Sequence, residues 1–179
     1  MNAQVTPIAA APGIAQAAHD RALAMMSQGS SRLDILTLLA TAGERASGPG
    51  SVASILVVDE DGLLRNGASP NLPSDYLDAI DRIKPHPDLG TCASAAATGE
   101  ITITTDFQSD TKWSELRHLP MALGFVGAWS MPIKSTRDGR VIGTFGTYYR
   151  DMRQPTAREL AAVGALAGVA ARALDDSGS

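Results

Sequence analysis

The sequence predicts an α+β domain: a mainly antiparallel sheet with long helices on one face and a loop-rich lid on the other. Three patterns lead there. Val52 to Val58 is an unbroken β-branched and aliphatic run, as expected of a strand buried on both faces. The segments 126–134 and 140–149 are separated only by the polar turn TRDG at 136–139, which makes them a hairpin and the sheet antiparallel. Trp129, Met131 and Ile133 share one parity, while Val141, Phe145 and Tyr149 alternate with Ile142 and Tyr148. Both faces of these central strands are therefore apolar and need cover.

The elements follow in order. Residues 1–12 are rich in Ala and Pro without a period and read as a loose arm. Helix formers dominate from Ile14 to Met26, so 13–29 reads as an N-terminal helix stopped near Gly29. Residues 30–175 form the domain proper. Ser31 opens a helix with Asp34 in its first turn and Leu33, Leu36, Ala40 and Gly43 on one face, ended by SGPG at 47–50. After the 52–58 strand, DEDG at 59–62 turns the chain into a return strand over 63–68. Tyr76, Leu77, Ile80 and Ile83 lie on one face of a helix over 74–83, which KPHPDLG breaks. A short helix follows, closed by Gly99, then EITITTD, a strand in which Ile101 and Ile103 alternate with threonines and one face is wet. Asp110 caps a helix through Trp113, Leu116 and Leu119. The last helix starts with a Thr156/Glu159 capping box and aligns Leu160, Val163, Ala167, Ala170 and Leu174. The first and last long helices can cover one sheet face. Residues 70–125 must cover the other, and a loop-rich lid over an apolar sheet face is a natural ligand cavity.

Composition narrows the function classes. Of the 179 residues 44% are hydrophobic and 19% charged, which suits a soluble globular domain. Net charge is −4 and the cations are scattered, so nucleic acid is not expected as a partner. The N-terminus lacks a basic leader followed by an apolar run, and the most apolar late stretch, 160–174, is too short to span a membrane and carries Arg172. With one cysteine there is no internal disulfide, and the expected location is the cytoplasm. One Cys and three scattered His make no metal-ligand spacing. The glycines of GRVIGTFG lie inside a strand, not in the strand–loop–helix context of a phosphate loop.

The segments ASPNLP, GTCASAAATGE, TTDFQSDTKW, LGFVGAWSMPI and GRVIGTFGTYYRDMRQPTAREL, taken in this order, resemble the GAF domains of bacterial sensor kinases and cyclic-nucleotide signalling proteins. The resemblance covers roughly 31–174. It implies a GAF-like (PAS-like) antiparallel sheet of about six strands, a pocket between sheet and lid, and a sensory, usually non-catalytic role with a kinase, cyclase or transcriptional output partner. It also implies end helices that pair between subunits, so a homodimer is expected. Gly164, Ala167, Gly168 and Ala171 permit close helix approach, and Leu33, Leu36 and Leu39 supply apolar surface.

The candidate ligand-binding residues are Thr91, Cys92, Asp106, Trp113, Trp129 and Ser130. Cys92 stands at a helix start, where backbone amides lower a thiol's pKa, but cysteine is equally at home as a small buried hydrophobe. Asp106 and Asp110 suit a pocket frame or, more simply, turn and cap bonds. Trp113 and Trp129 can stack on a flat ligand or fill the core. Haem and bilin are not expected: Ala93, not histidine, follows Cys92, and His86 and His118 lack an apolar frame. Two other functions compete with the sensor. One is a thiol-dependent reductase like the GAF-fold enzymes that reduce free methionine sulfoxide, which here would need an external resolving thiol. The other is an interaction module with an empty, collapsed pocket.

Overall fold

The structure, a computed structural model, describes residues 11–177. The chain runs α1 (Ala11–Ser27), α2 (Arg32–Ser47), β1 (Val52–Val58), β2 (Leu64–Ala68), α3 (Ser74–Ala79), α4 (Cys92–Thr98), β3 (Thr102–Thr104), a single 3-10 turn (Thr111–Trp113), α5 (His118–Ala122), β4 (Gly127–Lys134), β5 (Val141–Tyr149) and α6 (Ala157–Asp176). The strands form one antiparallel sheet in the order β2-β1-β5-β4-β3. The strand number among the described residues is five, as the hydrophobic pattern reads, and not the six that the family resemblance implies.

Each sheet face carries its own core, because successive side chains of a strand point to opposite sides. On one face lie α1, α2 and α6 over Ile55, Trp129, Ile133, Phe145 and Tyr149. Gly43 lets α2 settle there: a Cβ at that position would stand 2.6 Å from the Phe145 ring. On the other face α3, α4, the 3-10 turn and α5 form the lid, with Tyr76, Phe107, Trp113, Phe125 and Tyr148 as its apolar centre.

The helix ends follow their local chemistry. The Ser31 side chain accepts from the Asp34 amide at 3.1 Å. Thr156 and Glu159 complete the capping box. Glu159 is also the anchor of a polar cluster between layers. It accepts two bonds from Arg153 (2.7 and 2.8 Å) and one from the Tyr149 hydroxyl (3.1 Å). Tyr149 in turn accepts from the Trp129 indole at 2.8 Å, and Arg153 donates to the Ser47 carbonyl at the end of α2.

The N-terminal helix α1 packs on α2 and α6 with Ala15, Ala18 and Ala22 buried. Several expectations need correcting. This helix starts by Ala11; the rest of the expected arm, residues 1–10, lies outside the described residues. The helix expected over 74–83 stops at Ala79, because Arg82 and Ile83 pair with Leu64 beside β2, and Arg82 reaches φ 64° to do so. The helix expected through Leu119 is a 3-10 turn followed by the separate α5, although Asp110 caps its start as expected. The wet face of β3 is the isoleucine face: Ile103, and Ile101 just before the strand, are exposed, while Thr104 is buried and bonded to Asp110 at 2.6 Å. Alternation marks a strand but does not say which face is covered, and at this edge the lid covers the threonine face.

Candidate functional site

The floor of the site is a transverse row of small residues. Ser54 pairs with Gly146, Gly146 with Ser130 and Ser130 with Thr102, so four strands present almost no bulk along one line. The helix α4 lies across this row and places Cys92 above Gly146; a Cβ on Gly146 would stand 3.0 Å from the thiol sulfur. The next row, Val52–Tyr148–Ala128–Thr104, carries the aromatic Tyr148.

The lid closes over these rows by aromatic packing. The Tyr76 ring meets Tyr148 edge-on at 5.9 Å, and their hydroxyls are 2.7 Å apart. Phe125 packs on Tyr148 at 5.2 Å and Phe107 on Trp113 at 4.5 Å. Gly90, at φ 63°, turns the chain so that its amide donates to the Lys112 carbonyl, beside the Trp113 indole. Between floor and lid remains an apolar cavity of about 30 Å³, lined by Leu56, Tyr76, Leu89, Cys92, Trp113 and Tyr148 among others. That is room for a water or two, well short of the volume of a metabolite.

Of the six sequence candidates, Thr91, Cys92 and Trp113 meet in the cavity wall. Ser130 lies in the floor beneath α4, fully buried. Trp129 does not line the cavity: its parity turns it to the helix layer, where it is fully buried and bonded to Tyr149. Asp106 does not line it either; its carboxylate accepts the Gln108 amide at 2.9 Å and its carbonyl the Asp110 amide, closing the turn before the 3-10 segment. The sequence reading missed Tyr148 and Tyr76 as cavity residues. Their signal was present, since Tyr148 has the parity opposite to Tyr149, but parity alone does not say which side the lid occupies.

The chemistry of the wall is quiet. Burial pushes the Cys92 thiol up, and although the hydroxyls of Ser130, Thr144 and Thr91 pull it down, the net shift is upward. The lowering expected at a helix start is thus outweighed, as α4 has only seven residues and its first turn is pressed onto the sheet. Ser130 and Thr144 are placed to stabilise a thiolate yet make no hydrogen bond to the neutral side chain. The Trp113 indole N–H is also buried without a partner, an unused donor in the lid. No group of three or more His, Cys, Asp or Glu able to hold a metal occurs among the described residues. No helix among them is long and apolar enough to cross a membrane.

An antiparallel sheet with three long helices on one side and an aromatic lid over a small chamber on the other defines an α+β domain of the GAF type. The GAF domain model matches residues 30–175, and the chain belongs to that family. It is 32% identical over 143 residues to the methyl sulfide methyltransferase-associated sensor of Methanosarcina acetivorans, a match covering 79% of this chain but only 14% of that protein. Among solved structures it resembles a domain of a protein described as a two-component sensor histidine kinase, from Sinorhizobium meliloti, with a TM-score of 0.66, 22% identity and coverage of 82% of this chain and 93% of that one. It also resembles the free methionine-R-sulfoxide reductase of Neisseria meningitidis, solved with its substrate, with a TM-score of 0.64, 19% identity and coverage of 93% and 87%. At these identities the two structures share the fold with this chain.

Proposed function

We propose that this GAF sensor domain takes up a small, predominantly apolar molecule non-covalently between sheet and lid, without catalysis of its own, and passes the change to its terminal helices. The observation that supports this reading is the apolar cavity beneath a lid that carries an unpartnered buried donor, the Trp113 indole. A buried N–H without a partner costs on the order of 1–3 kcal/mol, which an accepting guest would recover. At about 30 Å³ the cavity admits water only, so uptake requires the lid to lift. The ligand then acts by population shift, favouring a raised lid over the closed one. Tyr148 belongs to the lid core and its neighbour Tyr149 to the helix core, where it holds Glu159 of α6. Signalling through paired helices calls for a homodimer. Of the residues expected at that interface, Gly168 on α6 and Leu33 on α2 are exposed and available for it, whereas Leu36, Leu39, Ala167 and Ala171 are buried in the chain's own core. Similarity to a sensor and to a histidine kinase domain favours a kinase-type output in a two-component pathway. The expected location remains the cytoplasm.

Native mass spectrometry of the purified protein tests the ligand: a retained small molecule released on unfolding is expected, and an absorption spectrum of the same sample checks for haem or bilin. Protein that carries nothing, and whose lid resonances answer to no added small molecule, would instead be an interaction module. Sedimentation at micromolar concentration tests the dimer, and a monomer rejects it. The reductase reading finds no support in a single half-buried thiol of raised pKa, and no turnover of methionine sulfoxide with dithiothreitol is expected.

A further inference from the structure

A second concavity lies where both hairpin turns meet the start of α2 and the end of α6, and it shares no lining residue with the lid cavity. This cleft measures about 820 Å³, within the range of small-molecule sites. Its lining combines apolar side chains, Val57, Val58, Val141 and Ile142, with four arginines and no lysine. The arginines are Arg32 from the first turn of α2, Arg65 from β2, and Arg137 and Arg140 from the β4–β5 turn.

The four guanidinium groups are not equivalent. Arg65 is held by Asp81 at 2.8 Å and by Asp59 at 3.6 Å, and Arg137 donates to the Asp175 carbonyl at 2.8 Å. The side chains of Arg32 and Arg140 are exposed and form no ion pair or hydrogen bond among the described residues. The acids of the lining are mostly engaged inside the protein. Asp175 accepts from Ser135 and twice from Thr136, and Asp59 accepts the amides of Asp61 and Leu63. Glu60 alone among them is exposed without a bond. The positive end of the α2 dipole adds to the field. Guanidinium forks match phosphoryl oxygens, and Val57 and Ile142, half-buried at the margin of the helix-side core, leave apolar surface beside them.

We infer that this cleft binds a small organic phosphate, with its phosphoryl group on Arg32 and Arg140 and its apolar body on Val57 and Ile142 at the helix-side margin of the sheet. The site is independent of the lid cavity and of whatever that cavity holds. Titration calorimetry on the full chain with phenyl phosphate, inorganic phosphate and phenol tests it. Phenyl phosphate is expected to bind saturably in the millimolar range, inorganic phosphate more weakly, and phenol not at all. R32Q/R140Q should weaken phenyl phosphate by about tenfold per arginine, the loss of one charge-assisted contact each. E60Q should tighten it by removing a like charge from the rim, and R158Q, on the exposed first turn of α6 outside the cleft, should leave it unchanged. All four positions are exposed, so the variants keep the fold and heat unfolding confirms it. The inference is overturned if phenyl phosphate shows no saturable binding, if inorganic phosphate or phenol matches it, or if R32Q/R140Q binds it as the parent does.

Discussion

Replacing Gly146 by Ala should destabilise the domain, and replacing Cys92 as well should reverse the sign. The added methyl would lie 3.0 Å from the Cys92 sulfur and 3.5 Å from the Ser54 carbonyl oxygen. Favourable heavy-atom contacts begin near about 3.5 Å, so the sulfur must retreat by a few tenths of an ångström. It has little room to do so, because Ala93, Ser94 and Ala95 of the same helix are buried. Overpacking of this kind costs about 1–3 kcal/mol. Cys92→Ala alone costs about 1 kcal/mol for the vacated volume. In that background the methyl introduced by Gly146→Ala meets no sulfur, and the change from glycine within a strand gains about 0.5–1 kcal/mol. The strand gain is common to both backgrounds, so the two substitutions should couple by the overpacking cost, about 1–3 kcal/mol. Urea denaturation of the parent, both single variants and the double variant reads this as midpoint shifts at constant slope. If Gly146→Ala costs the same with and without the thiol, α4 does not rest on the floor as described.

Other outcomes follow from the same contacts. Tyr149→Phe removes the acceptor of the Trp129 indole and a donor to Glu159, and should cost about 1–3 kcal/mol in urea; an unchanged midpoint would remove this chain as a support. Burial raises the Glu159 carboxyl, but the Arg153 guanidinium, the Thr156 amide and the Tyr149 hydroxyl outweigh it and hold it below its ordinary value of 4.5. A carboxyl lowered in the folded state stabilises fully above its unfolded pKa and loses that contribution as pH falls through the folded one. The urea midpoint should thus drop between about pH 5 and pH 3, and less steeply in Glu159→Gln. With burial raising its pKa, the Cys92 thiol should react with iodoacetamide at pH 7 far more slowly than a free thiol, and at the ordinary rate in urea; rapid labelling of the folded protein would contradict the closed lid.

Much of the fold was legible because periodicity reports burial. The run 52–58, the hairpin around TRDG and the Thr156/Glu159 box each combine a pattern with a local stop or start signal, and each stands where the pattern placed it. The assignment of terminal helices to one face and residues 70–125 to the other also followed, since an apolar sheet must be covered twice. What escaped depends on contacts between distant segments. Ile83 leaves its helix to pair with Leu64, a partner no local pattern names. Trp129 and Tyr148 are one residue pair apart across the β4–β5 register, yet one belongs to the helix core and the other to the lid. Sequence parity separates them but cannot tell which layer is which. The near-closure of the cavity is a matter of ring packing among Tyr76, Trp113 and Tyr148, set by side chains that loops deliver.

Tyr148 and Tyr149 are joined by a single peptide bond and end in different compartments. One hydroxyl touches the roof through Tyr76, and the other touches the start of α6 through Glu159. If the proposed guest displaces the roof, its effect need cross only one peptide bond to reach α6. Any roll of β5 about its own axis would tip both phenols together, like the two arms of a balance. The fulcrum is backbone that β1 and β4 hold on both sides, so the beam is stiff, and each arm ends in a hydrogen bond to a different layer.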